Sequence, residues 1–334
     1  MTARSVAEAG RTDAPAHGPT DGLLLVDKPA GPTSHDVVAA VRRALGAGAG
    51  RVGHAGTLDP AATGLLVVLA GRATRLARFI ALLAKRYVGT VRFGWETSTD
   101  DATGEPGERD DSWRARTPAD IAAALERVAA EPLQLPPRIS AKRVAGERAY
   151  RRARRGEEPR LAPAPVAIHS LMAASYDAAA GALVLEVECG AGTYVRAIAR
   201  DLGRALGTRA HLAALRRVAI GPWRVEEARP LDAVRAGGPL ALRPMAEAVA
   251  HLPALEVGPA AAMAMAHGRK IEAAARLEGP VAVYGAGELL AVAEWREGRY
   301  APLVVLAPDA GRAAHETSDA PPAGSGPGVR TTVP

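Results

Sequence analysis

Cysteine occurs once in the 334 residues, at Cys189, so no disulfide can form within the chain and no cysteine-based zinc knuckle can be assembled. The eight histidines include no His-Glu-x-x-His pair and the chain has no Walker A sequence. Neither a metal nor an organic cofactor is therefore expected. No unbroken apolar run approaches the roughly 18–20 residues of a membrane span, and residues 1–21 are polar, without the apolar centre of a signal peptide. The expectation is a cytoplasmic protein that does not contact a membrane. Internal repeats are also missing. Gly48-Ala49-Gly50-Arg51-Val52-Gly53 has the dinucleotide-binding spacing, but it follows a predicted helix and opens none, so the required context is absent. Ser34-His35-Asp36 spells a triad only in writing: successive residues on a helix do not face one another, and helix capping accounts for Ser34.

What is present is a chain with 48% hydrophobic residues, long enough for one large domain and a smaller one. Its formal net charge of +6 favours a polyanionic partner. The excess is concentrated between Ala141 and Arg160, where eight Lys or Arg stand against Glu147, Glu157 and Glu158. This run carries Tyr150 and is flanked by Pro136-Pro137 and Pro159. It reads either as a solvated helix face or as a basic segment that closes on RNA.

Residues 1–20 are expected to be a disordered leader and 312–334 a disordered tail, on composition. Gly22–Lys28 reads as a short strand stopped by Pro29. Thr33 or Ser34 caps a helix with Val37, Val38, Val41 and Leu45 on one stripe. Leu65–Leu69 reads as a strand, a short helix is expected around 74–84, and Tyr87–Phe93 alternates like another strand. A helix over 118–129 leads into the Pro-rich and basic insertion at about 131–160. Leu183, Leu185, Val187 and Cys189 share one strand face, and Val195, Ile198, Leu202 and Leu206 one helix stripe. This is a mixed α/β (α+β) body over 21–232, followed by a β-rich module over 244–308.

Gly53-His54-Ala55-Gly56-Thr57-Leu58-Asp59-Pro60-Ala61-Ala62-Thr63-Gly64-Leu65 sets an acid in a Gly- and Pro-punctuated loop just before an apolar run. Pro60 fixes its own φ and pushes Asp59 into an extended conformation. A carboxylate is thereby held on a stiff loop at the mouth of a buried strand. The stretch closely resembles the catalytic loop of TruB-type tRNA pseudouridine synthases. The resemblance continues in order over roughly residues 22–307: Asp27-Lys28-Pro29 with Gly31-Pro32-Thr33-Ser34; Lys85-Arg86-Tyr87; Ser140 to Tyr150; Cys189-Gly190-Ala191-Gly192-Thr193-Tyr194-Val195-Arg196; and His211 to Arg217.

The resemblance implies a pseudouridine-synthase mixed-sheet catalytic domain with a C-terminal PUA-like module. The implied reaction isomerises uridine at tRNA position 55, with the T-arm stem-loop of tRNA as partner. Neither an obligate protein partner nor oligomerisation beyond the monomer is implied. Asp59 would be the catalytic acid residue, with Arg196 paired to it and Tyr87 beside the reacting base as proton acceptor or relay. Leu215 would wall the uracil pocket and Tyr194 would bond substrate or orient Asp59. His54 would stack or hydrogen-bond in the opened RNA loop, and Lys28 would be a phosphate or structural contact. A uridine inside a folded loop must be flipped out, at a cost of a few kcal/mol. Ser98 stands where this family commonly has an acid, and Asp100 is a candidate to compensate. Two alternatives stay open: a guide-RNA-dependent synthase of the dyskerin kind, which shares the Gly-Thr-Leu-Asp-Pro loop, and a non-catalytic RNA-binding protein on the same scaffold.

Neutralising Arg151, Arg152, Arg154 and Arg155 together is expected to weaken tRNA binding and flatten its salt dependence. Each lost phosphate contact should lower the log–log slope by roughly 0.7–0.9. A slope equal to that of the unaltered protein would identify the cluster as a solvated face.

Overall fold

A computed structural model describes residues 21–139, 143–144, 147–148, 161–272 and 276–306. The expected leader, the expected tail and most of the basic insertion lie outside the described residues. The chain divides into two compact units, Met1–Val249 and Ala250–Pro334. The first unit reaches beyond the expected boundary near 232–244 because Arg243 exchanges backbone hydrogen bonds with Leu23 (3.0 and 2.8 Å) and because Ala248 and Val249 are buried.

The first unit is organised by a nine-stranded mixed sheet. Its strands are β1 (Gly22–Lys28), β2 (Val52–His54), β3 (Thr63–Ala70), β4 (Lys85–Phe93), β5 (Ile168–Asp177), β6 (Ala182–Cys189), β7 (Ala210–Ile220), β8 (Trp223–Arg224) and β9 (Arg229–Pro230). The spatial order is β9-β1-β3-β7-β4-β6-β5, with β2 on β3 and β8 on β7. Most neighbours are antiparallel; β3–β7 and β1–β9 are parallel. Every residue of β3 from Gly64 to Ala70 is buried, which explains its unbroken apolar run: a strand covered on both faces has no solvent side to alternate with. In β4 every second residue, from Lys85 through Phe93, is buried, as the alternation predicts.

The helices are α1 (Ser34–Leu45), α2 (Ala77–Ala81), α3 (Pro118–Ala130), α4 (Val195–Ala205) and α5 (Leu231–Arg235). Thr33 caps α1 in a capping box with Asp36, so Ser34, the other cap candidate, is free for another task. The short helix expected over 74–84 is a 3-10 turn at Gly71–Leu76 followed by α2. One core packs α3 and α4, through Ile121, Leu125, Ile198 and Leu202, onto Tyr87, Val91, Leu183 and Leu185. Another packs α1 and α5 onto Leu24, Val26, Leu66 and Val68. Residues 133–134 pair with 164–165, pinning the two ends of the basic insertion together at its base.

The second unit contains β10 (Ala254–Glu256), α6 (Pro259–Ala266), β11 (Pro280–Gly285), β12 (Glu288–Arg296) and β13 (Arg299–Val305). Its four strands form one sheet in the order β10-β11-β12-β13, over a core of Met265, Val281, Val283 and Tyr300. No helix among the described residues is long and apolar enough to cross a membrane.

Gly64 is where the fold meets the site. It sits at φ +103° opposite Arg217 in the parallel β3–β7 ladder, and a Cβ there would overlap the Arg217 backbone carbonyl. Gly64→Ala is expected to lower stability by about 2 kcal/mol or more, combining backbone strain with the clash. Urea denaturation measures this; a loss under about 0.5 kcal/mol would mean that the strands separate without cost.

Candidate active site

The loop between β2 and β3 carries Asp59, and its backbone is held along its whole length. Arg217, near the end of β7, donates from Nη2 to the Gly56 carbonyl (3.1 Å), from Nη1 to the Thr57 carbonyl (3.4 Å) and from Nε to the Leu65 carbonyl (2.7 Å). Ser34 Oγ accepts from the Leu58 amide (2.9 Å) and donates to the Leu58 carbonyl (3.1 Å). The Asp59 carbonyl accepts from the Ala62 amide (3.1 Å). Pro60 offers its carbonyl to the Gly31 amide (2.9 Å) and to Lys28 Nζ (3.0 Å). Five consecutive carbonyls, from Gly56 to Pro60, thus each have a donor, and the loop is rigid before any substrate arrives.

Lys28 is completely buried, its ammonium donating to the carbonyls of Pro29, Pro32 and Pro60. Burial lowers its pKa to about 8, opposed by the Asp59 charge. All three donors are engaged by the protein, which makes Lys28 a structural support of the loop.

Asp59 projects from this support with its side chain 43% exposed. Arg196, on the first turn of α4, reaches it with Nε 2.9 Å from Oδ2 and Nη2 3.5 Å from Oδ1. The guanidinium is itself fixed, donating to the carbonyls of Thr99 (2.9 Å) and Ile139 (3.0 Å) and lying 3.6 Å from Asp101 Oδ2. One turn on, Arg200 Nη1 meets Asp100 Oδ2 at 2.8 Å, and Arg204 Nε meets Glu96 Oε1 at 2.9 Å. The arginine stripe of α4 is therefore a ladder facing the acidic segment 96–101, with Asp59 at its top.

A cleft of about 520 Å³ opens beside the pair and brings together Asp59, Tyr87, Tyr194, Arg196 and Leu215, with Ile139 at its edge. Tyr87 points inward from β4; burial raises the pKa of its phenol, only partly offset by Arg217. Leu215 lies on β7. Tyr194 is the residue before α4, its amide donating to Gln134 Oε1 at 2.9 Å.

Lys28 and His54 are not among the side chains that line this cleft. His54 lies on β2 and not in a loop, edge-on to His35 at 5.6 Å between ring centroids; His35 does line the cleft. Burial, with the charges of His35 and Arg217, lowers the His54 pKa to about 4, so its ring is neutral at physiological pH. Two buried cationic residues of the cleft, Lys85 and Arg217, were not assigned a role from sequence. The signal for both is strand periodicity, which turns alternate residues of β4 and β7 inward.

The arrangement offers one carboxylate, charge-paired, lining a cleft with an aromatic hydroxyl and an aliphatic side chain. That set suits nucleophilic or proton-accepting work by a carboxylate. Among the described residues, no group of His, Cys, Asp and Glu is placed to hold a metal ion.

Comparison with known proteins identifies the family. The family model for the TruB family pseudouridylate synthase N-terminal domain matches residues 42–195, and that for the tRNA pseudouridylate synthase B C-terminal domain matches residues 196–237. The chain is 45% identical over 301 residues to tRNA pseudouridine synthase B of Thermobifida fusca, covering 86% of this chain and 99% of that protein. It is 43% identical over 299 residues to the protein of the same name from Streptomyces griseus, covering 86% and 97%. Among solved structures, a Cbf5–Nop10–Gar1 complex aligns with TM-score 0.64 at 24% identity, covering 88% of this chain and 91% of that one. An H/ACA RNP bound to a substrate RNA containing 2′-deoxyuridine aligns at 0.62 and 22%, covering 86% of each. These two likenesses concern the fold.

Ser34→Ala removes both bonds to Leu58 and leaves a buried amide unsatisfied. It is expected to cost about 1–3 kcal/mol of stability and to lower kcat while leaving KM nearly unchanged, because the aspartate loses its aim and not its substrate. Thermal melts and steady-state kinetics test this; a KM effect without a kcat effect would contradict it.

Proposed function

Because the chain belongs to the TruB family of pseudouridylate synthases, enzymes that isomerise uridine in tRNA, we propose that its target is the uridine at position 55 in the T-loop and that Asp59 is its catalytic residue. The observation that carries this reading is the Asp59–Arg196 pair in the cleft, on a loop whose carbonyls from Gly56 to Pro60 are all hydrogen-bonded. Arg196 supports the ionised form of Asp59 and fixes its direction. Tyr87 lies against the flipped base as proton acceptor or relay. Leu215 closes the apolar side, and Tyr194 bonds the substrate or steadies Asp59. His54, edge-on to the cleft residue His35, serves the opened RNA loop.

The isomerisation exchanges one bond for another. The C1′–N1 bond breaks, the base rotates, C5 bonds to C1′, C5 loses a proton and N1 gains one. No atom is added or removed, so a pocket that retains the base needs no cofactor. The second unit is proposed to be a PUA-like RNA-binding module, the basic insertion an RNA clamp, and the enzyme a cytoplasmic monomer. Relatives matching nearly their whole length and named as synthase B favour a stand-alone enzyme over a guide-RNA-dependent one.

The test is purified protein with an unmodified tRNA transcript and no other RNA. Pseudouridine is expected at position 55 alone. Asp59→Asn, which keeps size and loop geometry but removes the charge, is expected to abolish the product while tRNA binding stays within roughly tenfold, about 1.4 kcal/mol. Asp36→Asn, in the α1 capping box, should retain activity. Near-normal conversion by Asp59→Asn would remove Asp59 from the role assigned to it.

A further inference from the structure

Lys85 and Arg217 bring positive charge into the wall of the cleft, and among the described residues neither forms an ion pair. Lys85 is 7% exposed and Arg217 1%. Arg196 and Arg200, buried to a similar degree, each meet carboxylates. Lys85 Nζ instead donates to the carbonyls of Ala81 and Leu83, both at 2.6 Å, and Arg217 to those of Gly56, Thr57 and Leu65. Carbonyls satisfy the N–H groups of a cation but do not cancel its charge. Desolvating an ion is costly, and a carboxylate partner is the usual compensation. The two cations also repel each other: burial and the Arg217 charge lower the Lys85 pKa to about 8.

No group of the cleft supplies the missing anion. Asp59 is committed to Arg196. Tyr87 is held in its protonated form, because burial raises its pKa. The remaining source of negative charge is the substrate.

We propose, resting on the reading of this cleft as a uridine site, that Lys85 and Arg217 stabilise the negative charge that uracil acquires when its glycosidic bond breaks. The C1′–N1 electron pair leaves with the base and is shared between N1 and the ring carbonyl oxygens. Asp59 meets the matching deficit at the sugar, by bonding C1′ or by accepting a C2′ proton that is later returned. When C5 bonds to C1′, the base gives up the electron pair that it took, so no co-reactant is needed. Fixed charges in a water-poor wall act strongly on such a step because they need not reorganise as charge develops.

A purely structural role is the competing account, since Lys85 also caps the end of α2 and Arg217 clamps the Asp59 loop. Leaving-group chemistry separates the two. Fluorine at C5 makes the departing base a weaker base, so less stabilisation is required. Single-turnover loss of the N-linked nucleoside is therefore measured at saturating tRNA transcript containing uridine or 5-fluorouridine.

Lys85→Gln keeps a donor for the α2 carbonyls but removes the charge. It should slow the uridine RNA by about 100-fold and the 5-fluorouridine RNA by less than about tenfold, with tRNA affinity within about threefold. Lys85→Arg should recover most of the loss. Arg217→Gln provides the same comparison should Lys85→Gln fail to fold. Equal losses on both RNAs, or no loss, would overturn the inference while leaving the function intact. Failure of the unaltered enzyme to convert the uridine transcript would overturn the function itself.

Discussion

An aspartate on a loop is useful only if the loop cannot choose another conformation, and here the constraint is hydrogen bonding of the backbone. From Gly56 to Pro60 the carbonyls are matched to donors drawn from three separate parts of the chain: Lys28, Gly31 and Ser34 before the loop, Ala62 within it, and Arg217 far beyond it. The three side-chain donors are each fixed by an element. Lys28 ends β1, Ser34 opens α1 behind the Thr33 cap, and Arg217 is registered against Gly64 by the β3–β7 ladder. Losing one donor strands a carbonyl and loosens the neighbours that share the loop. Motifs that look independent in the sequence are therefore one object in space, and the aim of Asp59 depends on all of them.

Charge is distributed unevenly around that object. On the α4 side, arginines and acids alternate in register, so Asp59 faces a neutralised wall. On the β4 and β7 side, Lys85 and Arg217 form no ion pair among the described residues, and backbone carbonyls take up their N–H groups. On the proposed reading, a bound uridine has its sugar near the carboxylate and its base near the cations. The field across the cleft then runs in the direction in which electrons move when a glycosidic bond breaks toward the base. An evenly paired site of the same shape would hold uridine equally well but would not favour that separation of charge.

How much of this was legible in the sequence depends on whether the signal was local. The apolar run of β3, the alternation of β4 and the helical stripe of α4 are periodicities within one element, and the structure has them where periodicity placed them. The partnership of Asp59 with Arg196 spans 137 residues and has no local signature; only the resemblance of ordered motifs suggested it. Arg216 and Arg217 are instructive because they look alike in the sequence. A strand turns successive side chains to opposite faces, so Arg216 meets Asp27 at the surface (2.8 Å) while Arg217 goes inward. Reading 210–220 as a strand would have separated them. Lys28 was open between a phosphate and a structural contact, and only the three-dimensional course of the loop reveals the carbonyls that take up its donors.

Ser98 shows how the site tolerates a departure from its family pattern. Its hydroxyl accepts from the Glu105 amide at 3.0 Å and so stitches the 97–106 turn together, a task that needs an acceptor and not a charge. The charges fall to its neighbours. Asp100, at φ +59°, turns its carboxylate to Arg200, and Asp101 lies 3.6 Å from Arg196 Nε, the same atom that meets Asp59. A left-handed backbone is uncommon for a residue other than glycine, although aspartate tolerates it better than most. The ion pair with Arg200 and the bonding of the Asp100 backbone to Leu212 on β7 (3.0 Å) hold it there. The strained residue thus links the acidic turn to the strand that carries Leu215 and Arg217. What the site requires at this corner is a carboxylate facing each inner arginine of α4, and the turn delivers both without an acid at position 98.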